Sequence, residues 1–153
     1  MLAREIMTAN PTCCSPDDTA EDVARVMREH DCGCVPVVDS KSRRLLGVVT
    51  DRDLVVRGLA EGLTGGSEVR DLMSPDPCCC SPDADHRTVE KLMSDNQVRR
   101  VPVVDASGRC VGIIATADLA MAAMDRQKVS DREVAIVVER VSAPSEQISR
   151  RHG

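Results

Sequence analysis

The chain states one pattern twice, and this repetition restricts its possible folds more than any other feature. Residues 7–39 realign on residues 73–105 at a constant offset of 66, with identity at 14 of 33 positions. The first copy carries Met7, Pro11, Cys13-Cys14-Ser15-Pro16-Asp17, Val23, Met27 and Val35-Pro36-Val37-Val38-Asp39. The second carries Met73, Pro77, Cys79-Cys80-Ser81-Pro82-Asp83, Val89, Met93 and Val101-Pro102-Val103-Val104-Asp105. At an offset of 65, Gly47, Asp53 and Leu54 then meet Gly112, Asp118 and Leu119. A repeat of this length is ordinarily one supersecondary unit that cannot bury its apolar face alone. Two copies are expected to pack into one body, and clefts between them should come as a pseudo-symmetric pair.

The bulk properties narrow the partners. A chain of 153 residues suits one compact body, which buries roughly 70% of its unfolded surface. The net charge of −5 and pI near 5.2 argue against nucleic acid or an anionic membrane as partner. Phe, Tyr and Trp are absent, which removes the platforms on which single-stranded nucleic acid stacks. The core must therefore be Val, Ile, Leu, Met, Ala and Cys. No apolar run approaches the roughly 18 residues of a membrane span. Met1-Leu2-Ala3-Arg4-Glu5 lacks a signal-peptide layout. The expectation is a cytoplasmic protein without a membrane segment.

Within the first copy, Ser15-Pro16-Asp17-Asp18-Thr19 is turn chemistry feeding a helix start. Ala20, Val23, Ala24, Met27 and His30 then share one face at helical spacing. Gly33 breaks that helix. Val35–Val38 reads as a strand with Pro36 near its start, and Leu45–Val49 as a second strand. A helix follows from about Asp51 to Ala60. The second copy repeats the helical stripe in Val89, Leu92 and Met93, with strands at Val101–Val104 and Cys110–Ile114. Each repeat is thus expected as strand, helix, strand, strand, helix: an α/β fold of two pseudo-symmetric β-α-β-β-α repeats packed as one module. The expected boundaries are residues 1–62 and 69–124, joined by a linker at 63–68. Leu63-Thr64-Gly65-Gly66-Ser67 is expected to be its most flexible stretch. Residues 125–153 should hold a C-terminal amphipathic helix and a flexible tail. Ser130-Asp131-Arg132-Glu133 is a capping box. Val134, Val137, Val138 and Val141 form one face, expected to dock on the module itself; from Ala143 onward the chain is polar.

The eight cysteines occur as Cys13-Cys14, Cys32-x-Cys34, Cys78-Cys79-Cys80 and Cys110. None of these spacings is the CxxC of a zinc knuckle or thioredoxin-like site. Cys13, Cys14, Cys79 and Cys80 recur just before the Ser-Pro-Asp turn, where a strand should enter the core. They are expected to be buried and inert, since burial raises a thiol pKa. A metal or redox site assembled across the fold is the alternative.

Val-Pro-Val-Val-Asp, a polar turn and Gly-Val-Val-Thr-Asp-Arg-Asp-Leu, repeated once, resemble the cystathionine-β-synthase (CBS) domain family. Two such repeats in tandem look like a stand-alone Bateman module. Met-Arg-Glu-His-Asp, Thr-Asp-Arg-Asp-Leu and Gln-Val-Arg-Arg-Val-Pro-Val are similar to its small bacterial members. The resemblance covers nearly all of residues 1–124. It implies repeats packed through their sheets, pairing of two modules into a disc, and clefts that bind adenine nucleotides or related adenosyl ligands. It also implies a ribose-binding signature of Gly, two apolar residues, Ser or Thr, two residues, then Asp. Gly47-Val48-Val49-Thr50-Asp51-Arg52-Asp53 keeps this signature intact. A carboxylate can accept hydrogen bonds from both ribose hydroxyls. Thr50-x-x-Asp53 is equally a helix N-cap motif; local sequence leaves both readings open, and the resemblance favours the ligand.

The second repeat departs from the signature. Gly112-Ile113-Ile114-Ala115-Thr116-Ala117-Asp118 has Ala115 where the hydroxyl should be. Before its Val-Pro-Val strand it has Arg99-Arg100, where the first repeat has Gly33-Cys34. In similar modules basic residues here reach the phosphate of a ligand held by the opposite repeat, and guanidinium forks suit phosphate. An isolated Arg-Arg is ordinarily a solvated pair. The expected strong site is Thr50 and Asp53 for ribose and Arg99 and Arg100 for phosphate, with adenine near Thr12, Cys13 and Pro36. Asp118 marks a weaker second site.

No catalytic constellation emerges. Walker and GxGxxG loops are absent, and His30 at a helix end needs no chemistry. The reading is a regulatory sensor, not an enzyme, that binds AMP, ADP, ATP or another adenosyl compound and needs no metal or other cofactor. A homodimer is expected, because two repeats cannot cover every apolar helical face. A protein partner is expected but not identified by the sequence. The alternative is a redox- or metal-responsive interaction protein that uses its cysteines, with no nucleotide role.

Overall fold

The computed structural model describes residues 1–126 and 131–143. Ser130 and the polar tail beyond Ala143 lie outside the described residues. In chain order the elements are α1 (Ala3–Ile6), β1 (Thr8–Ala9), α2 (Ala20–Glu29), β2 (Cys34–Val38), β3 (Leu45–Thr50) and α3 (Asp51–Asp53). A π-helical turn, Leu54–Gly58, and a 3-10 turn, Leu59–Glu61, continue α3. A second 3-10 turn, Val69–Asp71, leads to β4 (Ser74–Pro75), α4 (His86–Asn96), β5 (Arg100–Val104), β6 (Cys110–Ala115), α5 (Thr116–Arg126) and α6 (Asp131–Ser142). None of the described helices is long and apolar enough to cross a membrane.

The α2 start follows from its cap. The Thr19 hydroxyl accepts a hydrogen bond from the Asp22 N–H at 3.2 Å, and the Asp22 carboxylate accepts one from the Thr19 N–H at 3.0 Å. These reciprocal bonds satisfy two otherwise unpaired donors. Val23 and Met27 are buried, and Val26 packs beside them. Ala24 and His30, expected on this face, are exposed. Ala24 lies about 100° around the helix from Val23, on the far edge of the stripe, and His30 stands just beyond the last helical residue.

The sheets correct the simple picture of two self-contained repeats. One sheet has the order β1-β6-β5 and the other β2-β3-β4. Each repeat therefore lends its leading strand to the other. Thr8 pairs with Ile113 and Ala9 with Gly112, while Ser74 pairs with Val48 and Pro75 with Gly47. The exchange is reciprocal in detail. Ala3 and Arg4 donate to the carbonyls of Ala84 and Pro82, and Val69 and Arg70 donate to those of Asp18 and Pro16. Arg4 pairs with Asp83, and Arg70 with Asp17. The same offset of 66 relates every member of these two sets.

The two cores record the exchange. Ala3 is buried with Val89, Met93, Val101, Val103, Ile114 and Leu119 of the second repeat. Val69 and Leu72 are buried with Val23, Met27, Val35, Val37 and Val49 of the first. Both cores are aliphatic, as a chain without aromatics requires. At the far end the two hairpin turns meet. Leu45 donates to the Gly108 carbonyl at 3.0 Å and Cys110 to that of Arg43 at 3.1 Å.

Crossing strands must approach closely, and the shared glycines permit it. A methyl group at Gly47 would lie 2.7 Å from the Ser74 carbonyl oxygen and 2.9 Å from Met73 Sδ. One at Gly112 would strike Met7. The repeat thus conserves both halves of one contact, the Met of each copy resting on the Gly of the other. Gly47→Ala should destabilise the fold by about 1–3 kcal/mol, because a backbone carbonyl must move. Gly66→Ala, which meets only Thr64 Oγ1 at 3.7 Å, should change stability by less than about 0.5 kcal/mol. Urea unfolding midpoints of the two variants check this contrast.

The glycine-rich linker is not the loose stretch its composition implies. The Gly65 and Ser67 carbonyls accept the first N–H groups of α2, from Glu21 at 3.0 Å and Ala20 at 2.8 Å. Donors left free at a helix start supply the reason for this order. Helix α6 docks on the module as expected, with Val137 and Val141 buried in the second core. Val138, expected on the same face, is exposed. The Arg87 Nε to Glu133 Oε1 approach of 3.9 Å links α4 and α6.

Candidate functional site

Thr50 and Asp53 lie where β3 turns into α3. The Thr50 hydroxyl accepts from the Asp53 N–H at 3.1 Å, and Asp53 Oδ2 accepts from the Thr50 N–H at 2.9 Å. The helix-capping reading of this motif is therefore realised. It leaves Asp53 Oδ1 facing Arg57 Nε at 4.0 Å. In the second repeat Asp118 Oδ2 accepts from the Ala115 N–H at 2.6 Å. Ala115 has no hydroxyl to return the bond, so Asp118 holds half of the same box.

Strands β2 and β5 bring the opposing residues. Cys34 stands opposite Thr50 in register, and Arg100 opposite Ala115. The Gly33 carbonyl accepts from the Asp51 N–H at 3.0 Å, and the Arg99 carbonyl from the Thr116 N–H at 3.2 Å. Each strand start is thus tied to a helix start in its own repeat. Between repeats the link is electrostatic. Burial pushes the Cys34 thiol up to about 11 against the pull of the Arg100 guanidinium, with Cys32, Asp53 and Asp51 adding to the rise. The Arg100 charge of the second repeat is thus felt at Cys34 of the first, as are the charges of Asp53 and Asp51. Arg100 is half-buried, with Nη1 donating to the Arg99 carbonyl at 3.3 Å; Arg99 is exposed. The mirror position has no cation, only Gly33 and Cys34. A side chain at Gly33 would press on Asp51 Oδ2 at 2.9 Å.

Thr12, Cys13 and Pro36 fall on the edge of β2. Thr12 is exposed and Cys13 half-buried. Pro36, expected near the adenine, is buried. Its carbonyl accepts from the Cys14 N–H at 3.0 Å, and Cys14 in turn accepts from the Val38 N–H at 2.8 Å. The cysteine pair covers the strand edge on which proline has no N–H to offer. Cys80 does the same for Pro102 and Val104 in the second repeat.

The thiols divide by direction. Cys14, Cys80 and Cys110 are buried. Burial pushes Cys14 up to about 12 and Cys80 up to about 11. Cys13 and Cys79, expected to be buried with them, are half-buried and exposed. Neighbours in an extended segment point to opposite sides, so only one residue of each pair can enter the core. The Cys13 thiol is lowered to about 7 by a hydrogen bond from Cys110, with the Arg43 charge acting the same way. Sequence reasoning missed this lowering, because it treated Cys13 as a core residue. Among the described residues no three His, Cys, Asp or Glu side chains converge as a metal ion requires. A groove between α4 and α6, lined by Arg87, Glu90, Lys91, Glu133 and Arg140, lies apart from these residues.

Fold and site together define a tandem α/β module whose repeats exchange their leading strands. The CBS domain profile matches residues 3–58 and 69–125, and the chain belongs to the CBS domain family as a tandem pair. It is 34% identical over 124 residues to the CBS domain-containing protein YhcV of Bacillus subtilis, covering 81% of this chain and 86% of that protein. It is 40% identical over 123 residues to Hypoxic response protein 1 of Mycobacterium tuberculosis, covering 77% and 82%. The crystal structure of Hypoxic Response Protein I with two coordinated zinc ions matches with a TM-score of 0.73 at 38% identity, covering 79% of this chain and 98% of that one. CBSX2 in complex with AMP matches with a TM-score of 0.73 at 28% identity, covering 83% and 98%.

Proposed function

We propose that the chain is a cytoplasmic, non-catalytic regulatory module, its repeats at residues 1–62 and 69–124, that binds an adenine nucleotide between them. The observation that carries this reading is that the Arg100 charge of the second repeat acts on Cys34, which stands opposite Thr50 beside the Thr50–Asp53 turn. It puts a cation of one repeat near a carboxylate of the other, the pairing that a phosphate and a ribose need. The AMP complex of CBSX2 supports the ligand class. Ribose is held at Thr50 and Asp53, its hydroxyls donating to Asp53, phosphate oxygens accept from Arg100 and Arg99, and adenine lies near Thr12, Cys13 and Pro36. Ligand binding shifts the relation of the repeats, which requires different affinities in the two arrangements. An as yet unidentified protein partner reads that shift.

The mirror site has Asp118 but lacks both the hydroxyl and the cations. Hydrogen bonds to charged groups contribute about 1.5–3 kcal/mol each, so the two sites should be very unequal. Calorimetric titration with AMP, ADP and ATP is expected to show one strong site per chain. Two equal sites, or no heat with any of the three, would overturn the reading. A second reading, a redox-responsive interaction protein, is favoured only by the half-buried Cys13 thiol beside the Arg43 guanidinium.

A further inference from the structure

We infer that the groove between α4 and α6 is a binding site for a free amino acid with an uncharged aliphatic side chain, whose ammonium meets Glu90 and whose carboxylate meets Arg140. The two helices run side by side in the same direction. Arg87 near the start of α4 approaches Glu133 near the start of α6 at 3.9 Å. Gln97, just past the end of α4, donates from Nε2 to the Ala143 carbonyl, just past the end of α6, at 3.4 Å. Arg87, Glu90 and Lys91 share one face of α4, and Glu133, Ile136 and Arg140 share one face of α6. These faces line a groove of about 360 Å³. That volume is at the small end of ligand pockets, which suits a molecule of amino-acid size.

The internal repeat isolates Glu90. The offset of 66 places it on Ala24 of α2, which is exposed. In the second repeat α6 packs over α4, and Glu90 is only 9% exposed. A carboxylate thus stands at a position that the C-terminal helix covers, where an alanine would pack without any polar cost. Its Oε1 is buried and has no hydrogen-bond partner among the described residues. Burial holds the Glu90 carboxyl above its ordinary value, against the pull of the His86 charge. His86, one turn earlier, directs Nδ1 to the Met1 amine and to Asp85, each at 3.3 Å, and not to Glu90. A buried carboxylate without a partner is costly. An ammonium supplies both the opposite charge and the N–H donors.

The other charges of the groove decide what the rest of the ligand must be. Lys91 pairs with Asp95, and Arg87 lies beside Glu133. Arg140 has no ion-pair partner among the described residues. The groove therefore holds one uncompensated charge of each sign. Both contacts between the helices join residues 46 apart, so Glu90 is level with Ile136. Arg140 follows four residues later, about 6 Å along the groove. An α-amino acid carries its ammonium and carboxylate on one carbon and bridges that span with a charge-assisted hydrogen bond at each end. Ile136 lies between them and is 39% exposed, and an aliphatic side chain covers it. A third charge on the ligand would find no partner, because Lys91 and Asp95 already engage each other. A polyamine would leave Arg140 unanswered, and a dicarboxylate would leave Glu90 so.

The test is calorimetric titration of the full chain with L-leucine, beside isocaproate, which lacks the ammonium, and isoamylamine, which lacks the carboxylate. Leucine should bind at one site per chain, and each truncated analogue should bind at least about tenfold more weakly. L-Lysine and L-glutamate should also bind more weakly than leucine. Glu90→Gln keeps the shape of the side chain and should lose about tenfold to a hundredfold in leucine affinity. Arg140→Ala should lose a similar factor; it replaces an exposed side chain, so it reports on the site should Glu90→Gln fail to fold. Asp53→Asn should bind leucine as the wild type does, which separates this site from the proposed nucleotide site. No binding of leucine, equal binding of either truncated analogue, or unchanged binding in both groove variants would overturn the proposal.

Discussion

Asp53→Asn is expected to remove most of the nucleotide affinity of the strong site, while Asp118→Asn leaves it unchanged. The choice of asparagine matters because Asp53, the proposed ribose acceptor, also caps a helix. Its Oδ2 accepts from the Thr50 N–H, and an amide oxygen can replace that acceptor, so the helix start survives. What asparagine cannot supply is the negative charge that strengthens bonds from two ribose hydroxyls. Loss of a charge-assisted bond is worth about 1.5–3 kcal/mol, or roughly tenfold to more than a hundredfold in affinity. Arg100→Ala should cost a similar factor for AMP and ATP and almost nothing for adenosine, which has no phosphate. Calorimetry with AMP and adenosine on the four proteins, wild type included, separates these outcomes. Unchanged AMP binding in Asp53→Asn, or an equal loss of AMP and adenosine in Arg100→Ala, would show that ribose and phosphate are held elsewhere.

The helices and hairpins were legible because they rest on local chemistry. Thr19 and Asp22 cap α2 whatever the tertiary fold, and Val-Pro-Val-Val before a polar turn is a strand in either repeat. The exchange of leading strands was not legible from periodicity, which is blind to which sheet a two-residue strand joins. A signal was nevertheless present. Arg4, Ile6 and Met7 recur as Arg70, Leu72 and Met73, so the repeat begins before residue 7. Those residues make the crossing contacts: Arg4 on Asp83, Arg70 on Asp17, Met7 on Gly112 and Met73 on Gly47. Recurring residues that are polar and exposed are poorly explained by a self-contained repeat. An interface between the copies explains them.

The candidate site was legible to a different depth at each position. The capping geometry of Thr50 and Asp53 follows from a spacing of three residues, which sequence shows directly. The unequal mirror follows from two substitutions, Ala115 for the hydroxyl and Gly33-Cys34 for the arginines. The influence of the Arg100 charge on Cys34 spans two sheets, which no spacing in the sequence relates. The cysteines were misread for a simpler reason. A vicinal pair in an extended segment must split between inside and outside, so recurrence at equivalent positions could not mean that both members are buried. That split leaves Cys13 half-buried, where Arg43 Nη2 donates to its sulphur at 3.8 Å.

The largest effect on assembly is expected from charge placed on the exposed helical stripes. Val56 and Leu59 lie on the helical run after Asp53, and an offset of 65 carries them onto Met121 and Met124 of α5. All four are exposed, Leu59 at 73% and Met124 at 83%. Helix α6 covers other parts of the second repeat, with Val137 and Val141 in its core, and leaves these side chains free of it. Two copies of the module joined about a two-fold axis can lay each stripe on its counterpart, because an isologous interface uses the same patch on both subunits. Burying a Leu or Met side chain fully is worth about 1.5–3 kcal/mol, and such a pairing would bury eight of these side chains. The wild-type chain is therefore expected to sediment as a homodimer at micromolar concentration. Leu59→Glu combined with Met124→Glu sets four carboxylates into that interface and should yield a 16.5 kDa monomer with an unchanged far-ultraviolet circular dichroism spectrum. A wild-type chain that sediments as a monomer, or a double variant that still sediments as a dimer, would show that these stripes are not where two modules meet.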